Sequence, residues 1–230
     1  MLTRRYVEAF DYASNLHAGD LRKGSDVPYL AHVMAVSALV LEHGGDETQA
    51  MAGLLHDAAE DHGGRARLDD ISERFGPAVA EIVELCSDSL AADRDQKPPW
   101  WPRKVAYVRR FARLPQFSPA LLVAVADKVH NARALLGDYR TDGEGLWARF
   151  NRTSGRAGQL WYYGRLAEVL GDRLSGDRRA VLLADELTQI AEALRDAIIA
   201  SGATDLDTLE RELELARSRE RELAASPSVG

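Results

Sequence analysis

In the run AMAGLLHDAAED at residues 50–61, His56, Asp57, Glu60 and Asp61 recur at helical spacing and share one arc, while Met51, Ala52, Leu54, Leu55, Ala58 and Ala59 fall on the opposite arc. One imidazole and three carboxylates presented together are the donor types that a divalent metal and a hydrolytic acid/base pair require. The same string also suits an amphipathic helix whose acidic side faces water. Its meaning depends on what the rest of the chain brings to it.

Two further segments offer partners. In LRKGSDVPYLAH, residues 21–32, the basic pair Arg22 and Lys23 precedes a turn, and Pro28 stands near the start of an apolar helix that carries His32. In LLVAVADKVHN, residues 121–131, an apolar run ends in a polar stripe of Asp127, Lys128 and Asn131. A carboxylate on such a helix needs a partner, because an unpaired buried charge is costly. A shared metal would satisfy His32, His56, Asp57 and Asp127 together. Two imidazoles and two carboxylates form a mixed nitrogen and oxygen shell with open positions, which fits six-coordinate manganese better than a closed structural zinc site. Asp127 and Asn131, at i and i+4, share a helix face. His17, His43, His62 and His130 have no comparable support, so His62 is expected to face solvent and His130 to pack.

The order RKG, PYLAH, LLHDAAED and ADKVHN resembles the HD-domain hydrolases of the RelA/SpoT homologue group, over roughly the first two thirds of the chain. The short length points to the stand-alone small alarmone hydrolase type. The resemblance implies manganese-dependent removal of the 3′-pyrophosphate from guanosine tetra- and pentaphosphate, giving GDP or GTP and pyrophosphate. It implies His32, His56, Asp57 and Asp127 as metal ligands and Glu60 and Asp61 as the catalytic pair that handles the attacking water and the leaving 3′-oxygen. It also implies substrate contacts from Arg22, Lys23, Lys104, Lys128 and Asn131, with Tyr162 or Tyr163 at the border of the nucleotide pocket. Lys128 stands where the long members usually carry arginine, and Gly24-Ser25-Asp26 departs from the usual turn, so substrate choice stays open. Alternatives are another nucleotide substrate (an adenosine alarmone, the 2′-phosphate of NADPH or a nucleoside monophosphate) or a non-catalytic alarmone-binding protein.

Composition agrees with a cytoplasmic enzyme. The 230 residues give room for one sizeable core, and the net charge of −7 argues against a general nucleic-acid binder. A local basic patch could still hold a polyanionic small molecule. The single cysteine, Cys86, excludes an intramolecular disulfide and is expected to be a buried apolar residue. The N-terminus enters an amphipathic pattern directly, and no stretch approaches the apolar length of a membrane span.

The elements that must position these groups read as helices throughout, so the expected class is all-α, an HD-domain helical bundle over residues 1–200 with a helical extension over 201–230. Helices are expected over residues 3–17, 28–43, 47–61, 68–75, 77–87, 103–114, 119–139, 146–170, 178–200 and 206–223. Residues 88–102 read as a loop at the mouth of the site, with Trp100 and Trp101 packing on a helix or subunit rather than stacking on a purine. The Glu-, Arg- and Leu-rich tail carries Leu209, Leu213 and Ala216 on one stripe, which would pack on the domain or pair chains into a homo-oligomer; residues 226–230 are expected to be disordered.

Overall fold

The computed structural model describes residues 1–91, 96–150 and 153–225, and among them the chain is helical with no strand. In order, the helices are α1 (Arg4–Leu16), α2 (Tyr29–Glu42), α3 (Glu47–Leu55), α4 (Ala58–Asp61), α5 (Gly64–Phe75), α6 (Pro77–Cys86), α7 (Trp100–Arg113), α8 (Pro119–Asp142), α9 (Gly155–Leu174), α10 (Ala180–Ala200) and α11 (Leu206–Ala225), with a 3₁₀ helix at Gly143–Arg149 between α8 and α9. The all-α class expected from the sequence is the class observed. No helix among the described residues is long and apolar enough to cross a membrane.

Local chemistry sets the starts. The Thr3 hydroxyl accepts the Arg5 N–H at the head of α1, and Asp46 with Gln49 forms a reciprocal capping box at the head of α3. Pro119 occupies the first turn of α8, where its missing N–H costs nothing. From Ala120 to Ala126 every residue of α8 is buried, because α8 is packed by α2, α3 and α6 and also by α9 and α10. It is the axis of the core, and Asp127 follows directly on this buried stretch.

Helices α2 and α3 bring His32 and His56 together, and they do so at close quarters. A Cβ added at Gly53 would stand 3.1 Å from Ser37 Cα, so any larger residue here would have to push α3 and the α2 backbone apart by a few tenths of an ångström. The Ser37 hydroxyl donates to the Ala50 carbonyl at 2.9 Å across the same contact.

Four expectations are corrected by the fold. The single helix expected over residues 47–61 divides into α3 and α4 at His56 and Asp57, because the His56 side chain bonds the Gly53 carbonyl and Asp57 takes φ −96°, ψ −5°. Helix α5 begins at Gly64 rather than residue 68, directly after Gly63 at φ +104°. Helix α7 begins at Trp100, since Pro102 in a first turn needs no N–H partner; Trp100 and Trp101 are therefore helical and packed edge-on, with Trp101 4.9 Å from the Trp161 ring. The helix expected over residues 146–170 starts at Gly155, and the preceding stretch is the 3₁₀ helix.

The tail packs on its own chain. Leu209, Leu213 and Ala216 are buried in α11, which lies on α7 and α9. Each leucine contributes about 2 kcal/mol by burial. Arg156 grips Glu212 through two bonds of 2.8 and 2.7 Å, and the Trp161 indole N–H donates to Glu220 at 2.8 Å. The disorder expected at residues 226–230 lies outside the described residues.

Candidate active site

His32 projects from α2, His56 and Asp57 sit in the break between α3 and α4, and Asp127 comes from the centre of α8. Their ligating atoms converge. His56 Nε2 is 2.9 Å from Asp57 Oδ2 and 3.5 Å from Asp127 Oδ1. His32 Nε2 is 3.2 Å from Asp127 Oδ1 and 3.6 Å from Asp57 Oδ2. Both Nε2 atoms are buried without a hydrogen-bond partner, although the opposite edge of each ring is held. His56 Nδ1–H donates to the Gly53 carbonyl at 2.9 Å, and His32 Nδ1 meets His130 Nδ1 at 2.8 Å. Fixing Nδ1 so that Nε2 points into a carboxylate cluster is how proteins orient histidine ligands for a metal.

The electrostatics fit a cation. Burial alone would raise the Asp57 and Asp127 carboxyls, yet both are held well below the usual range, Asp57 by His56 and Asp127 by Lys128 and then His56. Burial likewise opposes charge on His56, but Asp57 and Asp127 outweigh it and raise the imidazole well above its ordinary value. The excess of negative charge that draws a proton onto His56 is what a divalent ion would neutralise. The set His32, His56, Asp57 and Asp127 therefore fits a divalent metal by donor chemistry, by convergence and by its two unpartnered nitrogens. Further bonds hold the carboxylates. The Tyr29 hydroxyl donates to Asp57, and Lys128 Nζ and Asn131 Nδ2 each donate to Asp127 at 2.5 Å.

Beyond the break, α4 carries Glu60 and Asp61. Glu60 accepts the Asp88 backbone N–H at 3.0 Å and Lys97 Nζ at 3.1 Å, and Lys97 also lies 3.7 Å from Asp61. Burial first and the Asp88 carboxylate second push the Glu60 carboxyl up to about 7. A carboxyl with that value can take or give a proton near neutrality.

A cleft of about 400 Å³ is lined by Arg22, Lys23, Tyr29, His130, Asn131, Arg149, Phe150 and Tyr163, among others. Arg22 donates to Asn131 Oδ1 at 3.0 Å, so Asn131 links the cationic wall to Asp127. Lys23 Nζ stands 5.3 Å above the Phe150 ring, and burial lowers its pKa. Gly24, at φ +76°, turns the chain against Arg149, where a Cβ would lie 2.7 Å from Cδ. A larger hollow of about 640 Å³ along α1 and α5 shares none of these residues.

Three residues expected to contact substrate have partners within the chain. Lys104, 19% exposed at its side chain, lies 2.7 Å from Asp88 and 4.9 Å over the Tyr162 ring. Lys128 is occupied by Asp127 and lies 4.9 Å over Tyr107. Tyr162 is only 4% exposed and stacks beneath both lysines, so of the pair Tyr162 and Tyr163 it is Tyr163 that lines the cleft, together with Tyr29. Conversely, His130 does more than pack, and Lys97, Asp88 and Arg149 were not anticipated. The i, i+3 relation between Asp127 and His130 was the available signal for His130. Arg149 gave none, because it depends on how the 3₁₀ helix returns. Cys86 is buried, as expected, and burial pushes its thiol up.

Residues 9–155 match a family model described as "HD domain". A relative from Synechocystis named "Probable guanosine-3′,5′-bis(diphosphate) 3′-pyrophosphohydrolase" is 32% identical over 131 residues, 55% of this chain and 16% of that protein. The "Bifunctional (p)ppGpp synthase/hydrolase SpoT" of Escherichia coli is 33% identical over 141 residues, 60% of this chain and 19% of its own. The chain thus spans under one fifth of the length of these curated relatives. A solved structure described as "A metazoan ortholog of SpoT hydrolyzes ppGpp and plays a role in starvation responses" superposes with a TM-score of 0.60 at 25% identity, covering 82% of this chain and 96% of that one. A Listeria monocytogenes structure, lmo0812, shares the fold at a TM-score of 0.57 and 23% identity, over 74% of this chain and 99% of that one. With the matched region enclosing His32, His56, Asp57, Glu60, Asp61 and Asp127, the chain belongs to the HD-domain family and resembles the SpoT-type hydrolases within it.

Proposed function

We propose that the chain hydrolyses the 3′-pyrophosphate of guanosine tetra- and pentaphosphate in a manganese-dependent reaction that releases GDP or GTP and pyrophosphate. The observation that carries this reading is the convergence of His32 Nε2, His56 Nε2, Asp57 and Asp127 beside a cleft walled by Arg22 and Lys23. The names of the Synechocystis and Escherichia coli relatives, and the described activity of the metazoan SpoT ortholog, support the substrate class. The reading carries with it a cytoplasmic setting and a small-molecule nucleotide partner.

Held by those four residues, the ion would supply Lewis acidity toward a phosphoryl oxygen and the attacking water. Glu60, at about 7, takes the proton from water and passes it to the leaving 3′-oxygen, so that water and ester become a free 3′-hydroxyl and pyrophosphate. Asp61 orients the water, and Lys97 between the two carboxylates keeps them from repelling each other apart. Arg22 and Lys23 bind the polyphosphate through charge-assisted hydrogen bonds. Lys104 and Lys128 act at one remove, by holding Asp88 and Asp127.

A turnover screen under manganese over guanosine and adenosine alarmones, NADPH and nucleoside monophosphates, with products identified by mass, tests the reading. Intact pyrophosphate and a nucleoside 5′-di- or triphosphate from guanosine alarmones are expected. Orthophosphate alone, with no alarmone turnover, would overturn it.

A further inference from the structure

His17, Asp20 and His62 are not used by the proposed chemistry, and the sequence reading gave neither histidine a role. They come from three places: the residue ending α1, the segment before the turn that carries Arg22 and Lys23, and the residue ending α4. His17 Nδ1 lies 2.9 Å and His62 Nε2 lies 2.7 Å from one oxygen, Asp20 Oδ2, and the three atoms fall within 4.8 Å of one another. Four-coordinate zinc at about 2.1 Å from nitrogen and oxygen sets its ligands about 3.4 Å apart, so small side-chain adjustments suffice. His17 is fully enclosed at its side chain, whereas His62 and Asp20 are 26% and 39% exposed. The cluster therefore opens to solvent on one side, where a water could complete a tetrahedron. Burial pushes the His17 imidazole below its ordinary value, which leaves it uncharged and able to donate a lone pair.

We propose that His17 Nδ1, Asp20 Oδ2 and His62 Nε2 form a second divalent-metal site, separate from the His32, His56, Asp57 and Asp127 site and suited to a zinc-type ion. Two imidazoles and one carboxylate with an open fourth position are a zinc donor set, in contrast to the more oxygen-rich first set. The site would act as a staple. The Asp20 carbonyl accepts the Tyr29 N–H at 2.8 Å, and the Arg22 N–H donates to Val27 at 2.8 Å, so Asp20 anchors the base of the turn holding Arg22 and Lys23. His62 ends the helix holding Glu60 and Asp61. An ion joining them ties the substrate wall to the acid/base pair.

The test is metal content, which does not depend on turnover. The full chain is stripped with chelator, loaded with zinc, dialysed and assayed for metal per chain; cobalt loading then reports coordination through its visible absorption. Wild type is expected to hold two zinc equivalents and to show the strong bands of four-coordinate cobalt. His62→Gln, whose amide can still donate to Asp20, should lose one equivalent and those bands; Asp20→Asn should do the same and carries the test if His62→Gln does not fold. His56→Ala should lose an equivalent but keep the four-coordinate bands, which separates failure of this site from failure of the first. A single wild-type equivalent that is lost in His56→Ala, or a zinc content unchanged from wild type in both His62→Gln and Asp20→Asn, overturns the proposal.

Discussion

His32 Nδ1 and His130 Nδ1 stand 2.8 Å apart, so one ring donates the shared proton and the other accepts it. Burial first, then His32 and Arg22, push the His130 imidazole down to about 4, and it is uncharged at neutral pH. With His32 as donor, its Nε2 lone pair faces Asp57 and Asp127, the tautomer a metal ligand needs. His130→Ala should therefore weaken manganese binding by roughly 10- to 100-fold, the usual scale for an outer-shell partner. His130→Asn, which restores an acceptor, should recover part of it. Titration calorimetry on refolding-competent protein decides the matter: wild-type affinity in His130→Ala would remove His130 from the site.

The four proposed ligands should fail together. Replacing His56 by alanine removes one of the two unpartnered Nε2 atoms and leaves Asp57 and Asp127 facing each other with less compensating charge. Bound manganese and turnover are expected to drop in parallel in His56→Ala, with the helical circular dichroism kept. Normal metal content together with a normal rate would show that the cluster is only a buried ion-pair network.

Glu60 separates binding from chemistry. Because it bonds Lys97 and the Asp88 backbone rather than His32 or His56, Glu60→Gln should keep metal and substrate affinity while the rate falls by about a hundredfold or more. Its proton linkage has a definite sign. Below the ordinary value of 4.5 the carboxyl is neutral both folded and unfolded, and above about 7 it is charged in both. In between, the folded state holds the extra proton, so metal-free stability falls as pH rises from 4.5 through about 7. Melting curves in chelator should show that slope flattened in Glu60→Gln, and an unchanged slope would mean that Glu60 titrates normally.

Much of this site was legible because its parts are local. His56, Asp57, Glu60 and Asp61 lie within one short run, and the Pro28 and Asp127 segments announce their helices through apolar patterning. The break between α3 and α4 was hidden because it depends on the His56 side chain bonding the Gly53 carbonyl, which a helical-arc count does not include. The pairing of Lys104 was hidden for a different reason: charge can be read from sequence, but a partner 16 positions away cannot. Asp88 reaches Lys104 through tertiary packing, whereas Lys128 bonds its own sequence neighbour Asp127, and packing brings the Tyr162 ring beneath both lysines. His62 and Asp20, 42 positions apart, illustrate the same limit for the second cluster.

The contrast between Lys23 and Lys104 gives the last prediction. Lys23 lines the cleft over Phe150, so its charge is available to a polyphosphate. Lys104 is mostly covered and paired with Asp88, and its charge lowers the pKa of Glu60. Lys23→Ala should raise KM for a guanosine tetraphosphate alarmone about tenfold, equivalent to about 1.4 kcal/mol, with a much smaller change for a model phosphomonoester. Rising salt should narrow the gap, because screening weakens contacts open to solvent. Lys104→Ala should instead leave KM close to wild type, lower kcat, and move the Glu60-dependent limb of the pH–rate profile to higher pH, since a positive charge that lowers the carboxyl has gone. Steady-state kinetics across pH and ionic strength separates the two. Equal KM effects in both variants would mean that Lys104 leaves Asp88 to meet the substrate, and that the cationic wall extends beyond Arg22 and Lys23.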